Sequence, residues 1–360
     1  MLLKFLVIAK SPKTTITGTS LQYFKYLKQC RSLYSFKVSI LLSISTLFFL
    51  YPAISQANTT NLKNTKVILS WKPQAQFAGF YVAKDKGIYK RYGLDVSFLE
   101  RNTNTSPSKL LQNDQADFAI MWLSSAIKRR SEGLKLVNIA QLIQRSSLML
   151  IMKKSSGIQK PKDLQNKKVS LWEGELRLQP EAFFRKLKLN VKIIPQSYTV
   201  NLFLNDGVDV ASAMWYNEYH TIINAGVNPD ELVTFFFSDY GLNFPEDGIY
   251  MLEDNFNKDR AKAVAFVNAT IEGWLYAFEH QEEAVSLVLK YMHEAHLPEN
   301  CAHQKWMLAR IKELILVNGE ISIGNLKKDD YENVSKELMN NGLIKEMLDF
   351  NNFYIPLERK

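Results

Sequence analysis

Short apolar runs alternate with amphipathic helical segments along this chain, and the whole alternation occurs twice. No other feature restricts the fold as much. In the first block strands read at 67–71, 96–99, 118–121, 136–142 and 148–152, with helices at 77–86, 106–111 and 124–132. Gly87 and Gly133 follow two of those helices, where a left-handed residue ends a helix without strain. In the second block strands read at 168–172, 191–194, 210–214 and 233–237, with helices at 176–187, 199–205 and 218–225. Strand–helix–strand succession makes parallel pairs, because a parallel crossover needs a connection long enough to hold a helix. From residue 258 the strand pattern stops, and amphipathic helices read at 258–279, 282–292, 303–316 and 330–339. The expected fold class is α/β: two α/β lobes around a ligand cleft, with a helical C-terminal extension. The expected bounds are 66–150 plus 252–360 for lobe 1 and 151–251 for lobe 2. Crossings are expected near 147–153 and 247–252. Ligands of open α/β sheets sit beyond the carboxyl ends of the strands, so the cleft is expected where those ends meet.

The formal charge of +9 invites a nucleic-acid reading, and its distribution removes it. All seven charged residues in 1–57 are basic, from Lys4 to Lys37, and the remainder carries 38 basic against 36 acidic residues. A nearly neutral body has no electrostatic reason to seek a polyanion. The basic segment leads into an apolar run at 38–50, and Ser55-Gln56-Ala57 supplies small residues for a cut after Ala57. That is the three-part pattern of a cleaved secretory signal over 1–57, with a retained anchor helix as the alternative, and it implies a periplasmic or secreted protein. Cys30 precedes the apolar run, so a lipoprotein anchor is not expected, and cleavage leaves Cys301 as the one thiol.

Several segments resemble a known family. They are Trp71-Lys72-Pro73, Ala78 to Ala83, Lys86 to Tyr89, Tyr92 to Val96, Pro161 to Leu164 and Met214 to Tyr219. They are similar to the periplasmic thiamine-pyrimidine-binding proteins of ABC transporters, and to the related pyrimidine-precursor synthases of thiamine biosynthesis. Alkanesulfonate- and taurine-binding proteins share the likeness, which runs from about residue 66 to about residue 315. The resemblance implies a type II periplasmic-binding fold. It also implies a small heteroaromatic or amine-bearing ligand, with a thiamine pyrimidine precursor first and a riboflavin-like solute or organosulfonate as alternatives. The implied partner is an ABC permease or, alternatively, a membrane sensor kinase, and the protein is expected to be a monomer. The synthases carry a cysteine-rich run, a lysine that holds a pyridoxal cofactor and a histidine that becomes product. Here the matching places hold the cysteine-free 240–248, Met121 and Ser125, so neither an enzyme nor a cofactor is expected. A histidine common in the first loop of that family is Phe77 here.

Trp71, Trp122, Trp172 and Trp215 each sit at or just past the end of an expected strand, where a ring can stack on a ligand or simply pack in the core. Gln76, Ser124 and Ser125 join this candidate set in the first lobe. Glu173, beside Gly174 and Glu175, opens a helix, either as part of the site or as an ordinary acidic first turn. Tyr216, Asn217 and Glu218 follow the next strand; Asn217 and Glu218 can hold an aminopyrimidine edge, or Asn217 can cap a helix. Glu246 and Asp247 either face the ligand or solvate the hinge. Carboxylates in these places favour a neutral or cationic ligand over an anion. His293, His296, Cys301 and His303 have metal-binding side chains, but Pro298 interrupts the helix that would align them, and no metal is expected.

Overall fold

Two five-stranded sheets of the same design organise the chain. The structure is a computed structural model that describes residues 61–100, 106–317 and 322–357. The signal expected over 1–57 lies outside the described residues. The first sheet contains β1 (Lys63–Ile68), β2 (Leu94–Leu99), β3 (Phe118–Trp122) and β4 (Leu136–Gln141). The second contains β5 (Leu148–Lys153), β6 (Lys168–Leu171), β7 (Lys192–Pro195), β8 (Val210–Met214) and β9 (Leu232–Phe236), and β10 (Asp247–Leu252) returns to the first. Their orders are β2-β1-β3-β10-β4 and β7-β6-β8-β5-β9. In each sheet four strands run in one direction and the fifth lies antiparallel between two of them: β10 between β3 and β4, and β5 between β8 and β9. Each lobe therefore receives one strand from the far side of a crossover. The chain leaves the first sheet after Gln141 and re-enters it at Asp247.

The helices follow the apolar periodicity. The first lobe has α1 (Ala78–Asp85), α2 (Ile88–Arg91), α3 (Pro107–Gln112) and α4 (Leu123–Ser131), and Ser106 caps α3 by accepting from Lys109 N–H. The second lobe has α5 (Leu178–Leu187), α6 (Asn201–Leu204) and α7 (Glu218–Asn224). The C-terminal region has α8 (Glu253–Lys258), α9 (Arg260–Glu279), α10 (Gln281–Glu294), α11 (Cys301–Ile315), α12 (Lys328–Asn340) and α13 (Phe350–Phe353). Helix α9 lies so close to α1 that a Cβ at Gly273 would stand 2.3 Å from the Gly79 carbonyl oxygen. Among the described residues no helix is long and apolar enough to cross a membrane.

Two differences from the sequence reading matter for the site. The first strand ends at Ile68, so Trp71 stands three residues beyond it in a turn. The segment 247–252, read as a crossing, is a buried strand in the middle of the first sheet. Asp247 and Gly248 at its start hid it: a carboxylate and a glycine are both poor strand formers.

Candidate functional site

Contacts between residues that follow the strand ends link the two sheets. Trp71, after β1, meets Tyr198, after β7, with ring centroids 5.8 Å apart. Ser125, in the first turn of α4, donates a hydrogen bond to Glu175, which follows β6. Both contacts join one lobe to the other. The four tryptophans fall into two equivalent pairs, because β1 corresponds to β6 and β3 to β8 in the shared strand order. Trp71 and Trp172 make one pair, Trp122 and Trp215 the other, and all four remain partly exposed. Trp172 is oriented by its Nε1–H, which donates to Ser197 O at 3.1 Å.

Behind these rings lies a buried polar layer. Asp247 opens β10 opposite Trp122. Its Oδ1 accepts from Ser70 Oγ at 2.9 Å and its Oδ2 from Gln76 Nε2 at 2.7 Å. Gln76 is in turn oriented by Gln74 Nε2, which donates to its Oε1 at 2.6 Å. Glu246 is fully buried. Its Oε1 accepts from Ser147 N at 2.5 Å and Ser147 Oγ at 2.8 Å, while Oε2 has no hydrogen-bond partner. Glu246 N–H donates to Ile143 O at 3.1 Å, so this residue staples the two interlobe crossovers together. Burial raises the Glu246 carboxyl to about 8, and the Ser147 donors only partly oppose the shift. Glu246 and Asp247 thus do not solvate the hinge. They belong to its interior, and Asp247 belongs to the first sheet.

Tyr216 is buried beside this layer. Burial first, then the charges of Glu246, Asp247 and Glu218, hold its hydroxyl well above the usual range. Glu218 keeps some exposure as a residue, but its carboxyl is enclosed and burial lifts it to about 7. Both its oxygens already have protein donors: Met214 N–H at 2.9 Å and Asn217 Nδ2 at 2.7 Å. Asn217 occupies the N-cap position of α7 without a side-chain cap bond. Its Oδ1 instead meets His303 Nε2 at 2.9 Å. Glu218 therefore orients Asn217, and Asn217 reaches α11.

Trp215 faces α11 as well. Its ring lies against Tyr219, Phe236 and Trp306, under the Arg310 guanidinium at 5.4 Å, and its Nε1 lies 3.2 Å from Glu313 Oε2. Helix α11 also holds the first lobe, where Gln304 Oε1 accepts from Ala75 N–H at 2.7 Å. One helix thus spans both lobes beside the strand ends. Ser124 is buried and Glu173 is exposed at the start of a short 3-10 turn. Met121 is buried within β3. Ser70, Ser147 and Tyr198 belong with the site and were not singled out from sequence. Only Tyr198 left a signal, as an aromatic just past a strand end. Of the suspected metal ligands, His293 pairs with Glu299 at 2.8 Å while His303 turns to His220.

The arrangement offers flat aromatic faces above buried carboxyl and amide groups. The formylaminopyrimidine-binding protein of Halalkalibacterium halodurans is 23% identical over 279 residues, 73% of this chain and 81% of that protein. A 4-amino-5-hydroxymethyl-2-methylpyrimidine phosphate synthase of Saccharomyces cerevisiae is 23% identical over 103 residues, 28% of this chain and 30% of that enzyme. In three dimensions the chain is similar to the periplasmic aliphatic sulphonate binding protein SsuA from Escherichia coli. That likeness has a TM-score of 0.65 at 15% identity, and covers 83% of this chain and 94% of that one. It shows the fold: the two α/β lobes expected from the strand pattern form the periplasmic-binding architecture that the resemblance implies. The family description NMT1/THI5 like matches residues 74–284, more than half of the sequence, and the chain belongs to that family.

Proposed function

We propose that this chain is a secreted solute-binding protein whose lobes close on a small heteroaromatic, amine-bearing ligand, a thiamine pyrimidine precursor before any other. The observation that carries the reading is the set of partly exposed tryptophans at the strand ends, with the buried carboxyl group of Asp247 opposite Trp122. Trp71, Trp122 and Trp172 supply stacking area, worth about 1 kcal/mol per aromatic pair beyond simple burial. Asn217, held by Glu218, presents an amide edge, and Ser125 and Glu175 join when the lobes meet. Carboxyl groups raised toward neutrality remain hydrogen-bond partners without the full cost of a buried charge. The name of the Halalkalibacterium relative supports the pyrimidine part of the reading. Delivery to an ABC permease, with no nucleic acid involved and the protein acting as a monomer, follows the same line.

A binder rather than a synthase is supported by Met121 and Ser125, which offer neither an amine nor an imidazole where the resemblance puts those groups. Mass spectrometry of the small molecule released from freshly purified protein tests the proposal. An aminopyrimidine supports it, and an alkanesulfonate refutes the ligand assignment.

A further inference from the structure

We propose that His303 and His220 are positioning residues for the ligand site: as a neutral, hydrogen-bonded pair they hold the Asn217 amide in one orientation and tie it to α11. The inference rests on the reading of Asn217 as a ligand-binding amide. Asn217 Nδ2 donates to Glu218 Oε1 at 2.7 Å, so the atom 2.9 Å from His303 Nε2 is the amide oxygen. An oxygen acceptor there puts the His303 proton on Nε2 and, in the neutral ring, leaves Nδ1 with a bare lone pair. That lone pair lies 2.9 Å from His220 Nδ1, which then carries the proton of an N–H···N bond. The Asn224 side-chain amide, 3.1 Å from the same His220 nitrogen, can turn either end to it and so tolerates both tautomers of His220.

An asparagine amide has two N–H groups and two oxygen lone pairs. Glu218 takes one of the former and His303 one of the latter. One N–H and one lone pair remain, side by side, for a ligand. The complementary edge is a ring nitrogen beside an exocyclic amino group, which is the edge of an aminopyrimidine; a sulfonate, which only accepts, can use the N–H alone. The pair also lies where α11 passes from one lobe to the other. Gln304, the residue after His303, holds Ala75 N–H of the first lobe at 2.7 Å. Trp306 Nε1 donates to Trp215 O at 3.2 Å, and its ring stacks on His220 with centroids 4.9 Å apart. The bonds at His303 therefore connect the amide to the helix that spans both lobes.

This run of donors needs neutral rings. The titratable groups packed around the pair are Glu218 and Tyr219 on α7 and, on α11, Cys301 in the first turn, Arg310 over the Trp306 ring at 4.6 Å, and Glu313, paired with Arg310 at 2.9 Å. Lys305, also on α11, pairs with Glu282 of α10 at 2.6 Å. One proton can enter if His220 changes tautomer and accepts from His303 Nδ1, but it brings a positive charge to a partly buried pair that has no ion pair among the described residues. A second proton leaves two N–H groups facing each other. Burial first, then the neighbouring His220, holds His303 down at about 4, and burial lowers His220 as well. Rings released to water protonate near 6.5, so releasing the pair takes up protons and acid favours release.

Nitrogen-15 NMR of the imidazoles in the ligand-free protein reads the tautomer directly. The proposal expects His303, assigned by the loss of its signals in His303→Gln, to be neutral at pH 6 with its proton on Nε2. A His303 that titrates near 6.5, or is neutral with its proton on Nδ1, overturns the proposal. Calorimetry with 4-amino-5-hydroxymethyl-2-methylpyrimidine then reads the effect on binding. Parent affinity should fall about tenfold or more from pH 7 to pH 5. His303→Ala should weaken binding about tenfold at pH 7. His303→Gln keeps a donor for Asn217 and an acceptor for His220, so it should restore most of that loss and give a flatter acid profile. Glu218 and Glu246 titrate in every variant and cancel in the comparison. Circular dichroism establishes that each variant is folded. An equal loss in the Ala and Gln variants, or an acid profile as steep in His303→Gln as in the parent, overturns the proposal. Absence of aminopyrimidine binding at every pH instead sinks the ligand reading, and the spectra still decide the state of the histidine pair.

Discussion

Replacing Glu246 by Gln should make the protein more stable than its parent in alkali and leave it nearly unchanged in acid. The carboxyl's ordinary value is 4.5 and burial raises it to about 8. Between those two pH values the folded state keeps a proton that the unfolded chain has released. Unfolding then releases a proton, so stability falls as pH rises through this window and levels off above it. At 1.36 kcal/mol per pH unit the gap corresponds to roughly 3–5 kcal/mol of stability lost by pH 9. Glutamine keeps the Oε1 acceptor used by Ser147 N–H and Oγ–H, and its amino group replaces the partnerless Oε2. It therefore imitates the protonated carboxyl and removes the penalty. At about 2 °C per kcal/mol for a chain of this size, the Tm advantage of Glu246→Gln should grow by roughly 6–10 °C from pH 5 to pH 9. Thermal melts of both proteins across that range measure it. Other groups titrate in the same window, Glu218 among them, but they cancel in the difference. Parallel curves would refute the reasoning, because they would mean that Glu246 is ionised in the folded protein at neutral pH.

Gly273→Ala should destabilise the protein by about 3 kcal/mol, at the upper end for overpacking, because the new Cβ meets the Gly79 carbonyl on a neighbouring helix; denaturant melts would show it as a lower midpoint. Tyr198→Ala removes a ring that is 83% exposed and touches Trp71 across the lobes. It should leave the Tm of the ligand-free protein unchanged and raise the ligand Kd about three- to tenfold, as read by calorimetry.

The elements were legible wherever burial is continuous. Phe118 to Met121 and Val210 to Met214 are apolar throughout or nearly so, and both are strands within one residue of the expected bounds. The strand that opens with Asp247 was not, because its first side chain is a buried carboxyl held by Ser70 and Gln76, 177 and 171 residues away in sequence. The tryptophans at the strand ends could be read one by one. That Trp215 spends its ring on Trp306 and Arg310 could not, since α11 shows in sequence only as an amphipathic helix. The acidic residues all fall within the bounds expected for the second lobe, 151–251. They separate into an exposed Glu173, a lobe-bridging Glu175, and a buried pair in the hinge of which Asp247 lies in the first sheet. His220 and His303 are 83 residues apart and belong to no spacing motif; only the approach of α7 to α11 joins them.

Calorimetry of the purified protein with an aminopyrimidine and with an alkanesulfonate, side by side, tests the central claim most directly. The account predicts saturable one-to-one binding of the aminopyrimidine, weakened in Trp172→Ala by about tenfold, the equivalent of 1.4 kcal/mol, with little heat from the sulfonate. Tight sulfonate binding that is indifferent to Trp172→Ala, with no binding of the aminopyrimidine, would contradict it.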